Sequence, residues 1–292
     1  MLLVLIPGLI WGASFLFIAE GLRSIGPNGV AFVRIVIGFM TLALFPRAWK
    51  SVPPSEWLGI VVVGTLWMGL PLALVPHAEQ HVSSAITGML NAAVPLFAAI
   101  VATIVARQLP PRGVLAGLVV GITGAVLMAL PTVREGRSST TGVFLILGAV
   151  TSYGIALNVA GPLQQRNGAL PVIWRAQAVA VLLTAPLGIP DLLAAHWSPV
   201  PLLSLVALGA LGTGVAYVLI TVAAGRVGAT RASANNFLIP PVALLLGVTL
   251  RGEHVPGLAV AGAAVAVTGA WLMQRARLGA PAPVLAGSRQ AS

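Results

Sequence analysis

The sequence has no cysteine, so disulfides, thiol catalysis, iron–sulfur clusters and cysteine-ligated zinc are excluded. Acids are scarce: Glu20, Glu56, Glu79, Glu135, Asp191 and Glu253 are the six in 292 residues. No two of them share an apolar run. That argues against carboxylate-rich proton relays and against a hydrolase built on paired acids. Lys50 is the sole lysine and no glycine precedes it, so no Walker loop exists and ATP hydrolysis by this chain is excluded. Charged residues of all kinds make up 8% of the chain, against about 25% in soluble domains.

In their place stands an oily string, 58% hydrophobic with a mean hydropathy of +1.00. Apolar runs fall at about 2–19, 29–45, 57–75, 83–106, 113–130, 142–163, 171–189, 201–223, 232–250 and 256–273. Each approaches the roughly 20 residues that a membrane-crossing helix needs. Transmembrane β-strands would be about ten residues long and would alternate; these runs do neither. The expected fold is therefore an all-α membrane protein of about ten transmembrane helices, with no room for a sizeable soluble domain. Met1 opens directly into apolar sequence without a basic leader, so 2–19 reads as a retained first span, not a cleaved signal peptide.

The net charge of +10 does not point to nucleic acid, because no basic stripe with interleaved aromatics is present. It fits basic loops facing an anionic membrane surface. With ten crossings, ten Lys or Arg residues fall at the end that carries both termini and four at the other. Positive residues collect on the cytoplasmic side, which places both termini in the cytoplasm and the protein in the cell membrane. Residues 275–292 read as a disordered cytoplasmic tail.

The chain also repeats itself. Asn91-Ala-Ala-Val-Pro95 corresponds to Asn236-Phe-Leu-Ile-Pro240, and Thr123-Gly-Ala-Val-Leu-Met128 to Thr268-Gly-Ala-Trp-Leu-Met273, both at an offset of 145 residues. Arg34 and Arg175, each near one end of an apolar run, follow at an offset of 141. The units are 1–131 and 142–274, with five helices each. An odd number threads the second unit upside down relative to the first. Two inverted five-helix repeats are the architecture of many secondary transporters, whose solute site lies near the midplane between repeats.

These residues resemble a known family. Trp11-Gly-Ala-Ser-Phe15 followed by Arg34 is similar to the opening of the EamA family, within the drug/metabolite transporter superfamily. So are Ser83–Pro95, Gly225–Pro240 and Gly247–Glu253. The resemblance runs from Pro7 to Met273 in two copies. It implies ten spans, inverted repeats and movement of small organic solutes, often outward; no cofactor is expected. The first repeat departs from the pattern, with Gln108 where the family commonly has an acid; the second keeps Glu253. Tyr153-Gly154 stands where the first repeat has Trp11-Gly12. The expected partners are a small-molecule solute and the lipid bilayer. Rival classes are a membrane-embedded enzyme, which would need a nucleophile–base or metal constellation, and a non-transporting scaffold.

Polar residues inside a membrane need partners away from lipid, so they mark the bundle interior. Arg34 and Arg175 suit either an interhelical anchor or contact with an anionic solute group. Trp11, Ser14, Tyr153, Asn158 and Tyr217 suit either helix-to-helix hydrogen bonding or a cavity wall. Asn91 and Asn236 precede Pro95 and Pro240 by four residues, and proline frees the carbonyl four positions back. Both prolines are hinge candidates, and Asn91, Asn235 and Asn236 are cavity candidates. His77 and His81 lie four apart, but the spacing is not H-E-x-x-H; His77–His81 reads as a wet loop and not as a metal site. Gly113, Gly117 and Gly121 form two overlapping GxxxG patterns, suited to close packing within the bundle or to a homodimer face.

Overall fold

A computed structural model describes residues 2–134 and 136–278; of the tail, 275–278 belongs to the last helix and the remainder lies outside the described residues. Among the described residues, nine helices are long and apolar enough to span a bilayer. They are α1 (Leu2–Gly21), α3 (Pro54–Glu79), α4 (Ser84–Ala106), α5 (Arg112–Arg134), α6 (Ser139–Asn167), α7 (Ala169–Leu193), α8 (Pro199–Val227), α9 (Ser233–Arg251) and α10 (Gly257–Ala276). The tenth, α2 (Pro27–Ala43), is shorter. Pro27 fixes its first turn, where a missing N–H costs nothing. The protein is an all-α membrane protein of about ten helices. Their termini fall at two levels, called here the termini end and the far end.

The loop expected at His77–His81 begins later than the sequence suggested. Helix α3 continues through Glu79, whose two carboxylate oxygens are buried without a hydrogen-bond partner. Apolar neighbours carry the polar residues into the helix, so hydropathy alone ended the span too early. Among the described residues no group of three His, Cys, Asp or Glu side chains could hold a metal ion.

Packing follows the small residues. Helices α5 and α10 cross so closely that a methyl on Gly117 would lie 2.7 Å from Gly269 O, and one on Gly262 would lie 2.8 Å from Gly124 O. No side chain fits at such a crossing, so here the GxxxG pattern joins two helices of one chain. The contact is reciprocal, since Gly117 and Gly262, like Gly124 and Gly269, are 145 residues apart.

The same reciprocity recurs elsewhere. Gly64 of α3 packs on Ala176 O and Val179 of α7, and Gly209 of α8 packs on Arg34 O and Ile37 of α2. Gly12 of α1 meets Val242 of α9, and Gly154 of α6 meets Phe97 of α4. These pairings relate the first two helices of each half by 142 residues and the last three by 145. The expected match of Arg34 with Arg175 is therefore displaced by one residue: the position facing Arg34 is Ala176. One residue turns a helical side chain by about 100°, so the two arginines point in different directions.

Helices α3 and α8 each contain a wide π-helical turn, at Gly64–Gly69 and Leu208–Val215. Such turns break the regular ladder and leave carbonyls for other donors. Ser152 Oγ donates to Leu66 O at 2.8 Å, Trp11 Nε1 to Gly212 O at 2.9 Å and Gln177 Nε2 to Thr213 O at 2.7 Å. Ser152 and Trp11 thus tie each turn to a helix from the other half of the chain, while Gln177 ties the second turn to α7 of its own half. Helices α4 and α9 are also broken, by tight 3₁₀ turns at Asn91–Ala93 and Ser233–Leu238. The carbonyl freed by Pro95 accepts Val94 N, and that freed by Pro240 accepts Ile239 N.

Candidate functional site

Three of the four irregular turns, Gly64–Gly69, Asn91–Ala93 and Ser233–Leu238, contribute to the wall of a cavity of about 360 Å³ within the bundle, and the fourth, Leu208–Val215, holds Arg34 and Trp11 of that wall. Trp11 and Ser14 reach it from α1, Arg34 from α2, and Asn91 and Pro95 from α4. Tyr153 comes from α6, Tyr217 from α8, and Asn235 and Asn236 from α9. The structure thus gathers these sequence candidates around one space. It does not bring Asn158 or Arg175 there. Asn158 Nδ2 donates to Ala98 O at 3.0 Å, joining α6 to α4. Arg175 Nη1 donates to Pro171 O at 3.1 Å and Ala48 O at 3.3 Å, and its guanidinium covers Trp174 at 5.6 Å. It anchors the turn after α2. Of the two hinge candidates, Pro95 lines the cavity; Pro240 is buried beside it.

Among the described residues Arg34 is the single charged member of the lining. It is 7% exposed, and its Nε donates to Thr213 Oγ1 at 2.8 Å. Thr213 is itself fixed within the wide turn of α8, its hydroxyl donating to Leu208 O at 3.2 Å. The guanidinium is therefore aimed by the other half of the chain. Among the described residues no carboxylate lies within ion-pair distance of it and no hydrogen bond reaches its two terminal nitrogens. Asn235 is 1% exposed and its Nδ2 has no partner. Gln164 Nε2, at the cavity's termini end, is likewise unpaired.

The aromatic wall is continuous. Tyr217 meets Trp11 edge to face at 5.4 Å and Trp67 at 5.8 Å between ring centroids. The sequence reading missed Trp67, as well as Thr213, which accepts from Arg34, and Gln177, which donates to Thr213 O. A polar residue inside an apolar run was the available signal for Gln177. Trp67 and Thr213 gave little, because a tryptophan or a threonine within a glycine-rich span is unremarkable on its own.

The two ends of the cavity differ. Its lining runs to Gln164, Ala169, Ala224 and Ser233, in the last or first turns of α6 to α9 at the termini end. At the far end, polar links tie one half of the chain to the other. Glu253 accepts from Ser84 N at 3.1 Å, Ser84 Oγ at 2.7 Å and Ala85 N at 2.9 Å. Its carboxylate thus caps the positive N-terminus of α4, whose first amides have no helical partner. Arg251 bridges Glu253 and Glu20. Asp191 accepts from Gly29 N at 3.0 Å, and the Ser24 and Ser198 hydroxyls lie 3.3 Å apart. Glu253 was visible in the sequence as part of Gly247–Glu253; its capping role was not.

A membrane-spanning helical bundle around a mostly apolar cavity with a few convergent polar groups has the makings of a small-molecule site within the bilayer. The chain belongs to the EamA-like transporter family, whose match covers residues 1–130 and again 140–275. It is 27% identical over 274 residues to a probable terminal-alkyne amino-acid exporter of Streptantibioticus cattleyicolor, covering 92% of this chain and 91% of that protein. It is 25% identical to the uncharacterized transporter YdfC of Bacillus subtilis, covering 89% and 86%, and 26% identical to the uncharacterized inner membrane transporter YedA of Escherichia coli K12, covering 84% and 80%. A crystal structure matches 96% of the chain and 98% of its own length with a TM-score of 0.62 at 17% identity, a likeness of fold alone. The protein is a multi-pass cell-membrane protein.

Proposed function

We propose that this transporter exports small organic metabolites by alternating access, its two inverted repeats rocking about the central cavity. The reading rests above all on the unequal ends: links between the halves close the far end, while the lining reaches the termini end. The reciprocal contacts at offsets of 142 and 145 residues support the rocking. If one half can adopt the conformation of the other, the closed and open ends exchange places. With the termini in the cytoplasm, the present state receives solute from inside, and the exporter among the relatives supports the outward direction.

The chain's lack of cysteine makes the test direct. Ser51→Cys at the termini end should react with a membrane-impermeant thiol reagent from the cytoplasmic side alone, and Ala194→Cys at the far end from outside alone. Purified protein in liposomes should move at least one member of a metabolite panel down its gradient. Labelling of both cysteines from one side, or no flux of any solute, would end the proposal.

A further inference from the structure

The cavity's charge balance restricts what it accepts. Arg34 brings one permanent positive charge into a space whose lining contains no acid. Of the acids at described positions, Glu20, Glu56 and Glu253 are held by arginines, and Asp191 by the Gly29 amide. Glu79 is within electrostatic reach of Arg34 but makes no ion pair with it and lies outside the lining. A buried guanidinium without a counter-charge is unfavourable until an anion meets it. The unpaired Nδ2 of Asn235 adds a second donor without an acceptor, on a side chain almost wholly removed from solvent. Both groups ask the solute for acceptor oxygens. The rest of the wall, Trp11, Trp67 and Tyr217, offers ring faces and edges to an apolar body.

We infer that the cavity selects monoanionic organic acids with an apolar or aromatic body, in preference to zwitterions, amines or neutral solutes of the same shape. The carboxylate takes both terminal nitrogens of Arg34, a planar donor pair matched to a planar acceptor pair. A zwitterion brings the same carboxylate but also an ammonium. That ammonium would lose its water with only uncharged hydroxyls, amides and rings to replace it, since among the described residues no acid lines the space. A cavity of about 360 Å³ is at the small end for organic ligands, which suits a single ring with a short acid chain. The inference rests on the transport reading above and adds the charge class of the solute.

Four solutes with one phenyl body isolate the charge: 3-phenylpropanoate, phenylalanine, phenethylamine and 3-phenylpropanamide. Each is loaded into liposomes with the purified protein, and efflux and cross-competition are measured at pH 7. The acid should compete at least tenfold better than the amine and the amide, with the zwitterion between. Arg34→Gln should weaken the acid tenfold or more while changing the amide less than twofold, and Arg34→Lys should restore part of the acid's advantage. A monodisperse elution profile and an unchanged thermal midpoint in detergent show that the variant is folded. Phenylalanine or phenethylamine competing as well as the acid would overturn the inference, as would equal losses of acid and amide in a folded Arg34→Gln protein. If none of the four competes while another solute is still moved, the charge class is wrong and the transport reading stands. If no solute moves at all, the transport reading itself has failed.

Discussion

The far-end closure is expected to yield to one isosteric change, Glu253→Gln. In the native protein the carboxylate accepts three hydrogen bonds from the start of α4 and one from Arg251 Nε at 3.1 Å. The amide keeps one acceptor oxygen and turns an NH₂ toward backbone N–H groups, so at least one bond is replaced by opposed donors. A hydrogen bond to a charged group contributes about 1.5–3 kcal/mol. The Arg251 contact is discounted, because a pair this close to solvent contributes at most about 1 kcal/mol. Loss of one charged bond shifts the balance between closed and open far ends by about 1.5–3 kcal/mol, roughly ten- to hundredfold at about 1.4 kcal/mol per decade. Val75 lines the cavity in its far half and is 4% exposed, so Val75→Cys reports on access. Reaction of this cysteine with an impermeant reagent added outside should accelerate at least tenfold in the Glu253→Gln background, while a cytoplasmic reporter slows. An unchanged rate in a monodisperse protein would refute the latch.

Three further outcomes follow from the packing. Gly124→Leu should abolish stable folding, because even a methyl there would meet Gly262 O at 2.7 Å, whereas Gly225→Ala, with open space around it, should leave the thermal midpoint within about 2 °C in detergent. Ser152→Ala removes the donor to Leu66 O and should cost about 0.6 kcal/mol, the usual value for a hydrogen bond between membrane helices, read from unfolding in mixed micelles. Arg175→Gln should lower stability through its loss of Ala48 O and Trp174 without altering the order in which solutes compete, in contrast to Arg34→Gln; a changed order would place Arg175 in the solute path after all.

Much of the fold could be read in advance, because a bilayer constrains a chain severely: length and hydropathy located all ten helices, and polar residues within them marked the interior. Arg34, Trp11 and Tyr217 were recognisable for that reason. What failed was the placement of one pair. Arg175 looks like the counterpart of Arg34 at a spacing of 141, yet the helices correspond at 142, and the difference is a third of a turn. Hydropathy is blind to such a slip because the neighbours on both sides are apolar. Asn158 misled for a related reason: an amide inside a membrane is satisfied as well by Ala98 O as by a solute, and only coordinates separate the two. The wide turns were invisible, since Gly64–Gly69 and Leu208–Val215 differ from ordinary glycine-containing helix in nothing but their hydrogen-bond spacing.

Those two turns give the protein slack along the helix axis. Each holds one more residue per turn than a regular α-helix requires. Tightening one to ordinary pitch would advance everything beyond it by one residue, a swivel of about 100° with a shift of about 1.5 Å along the axis. Tyr217 stands two residues past the second turn, and Trp67 lies inside the first. A small change in winding would therefore swing these rings around the cavity wall while leaving the helix ends nearly where they are in the membrane.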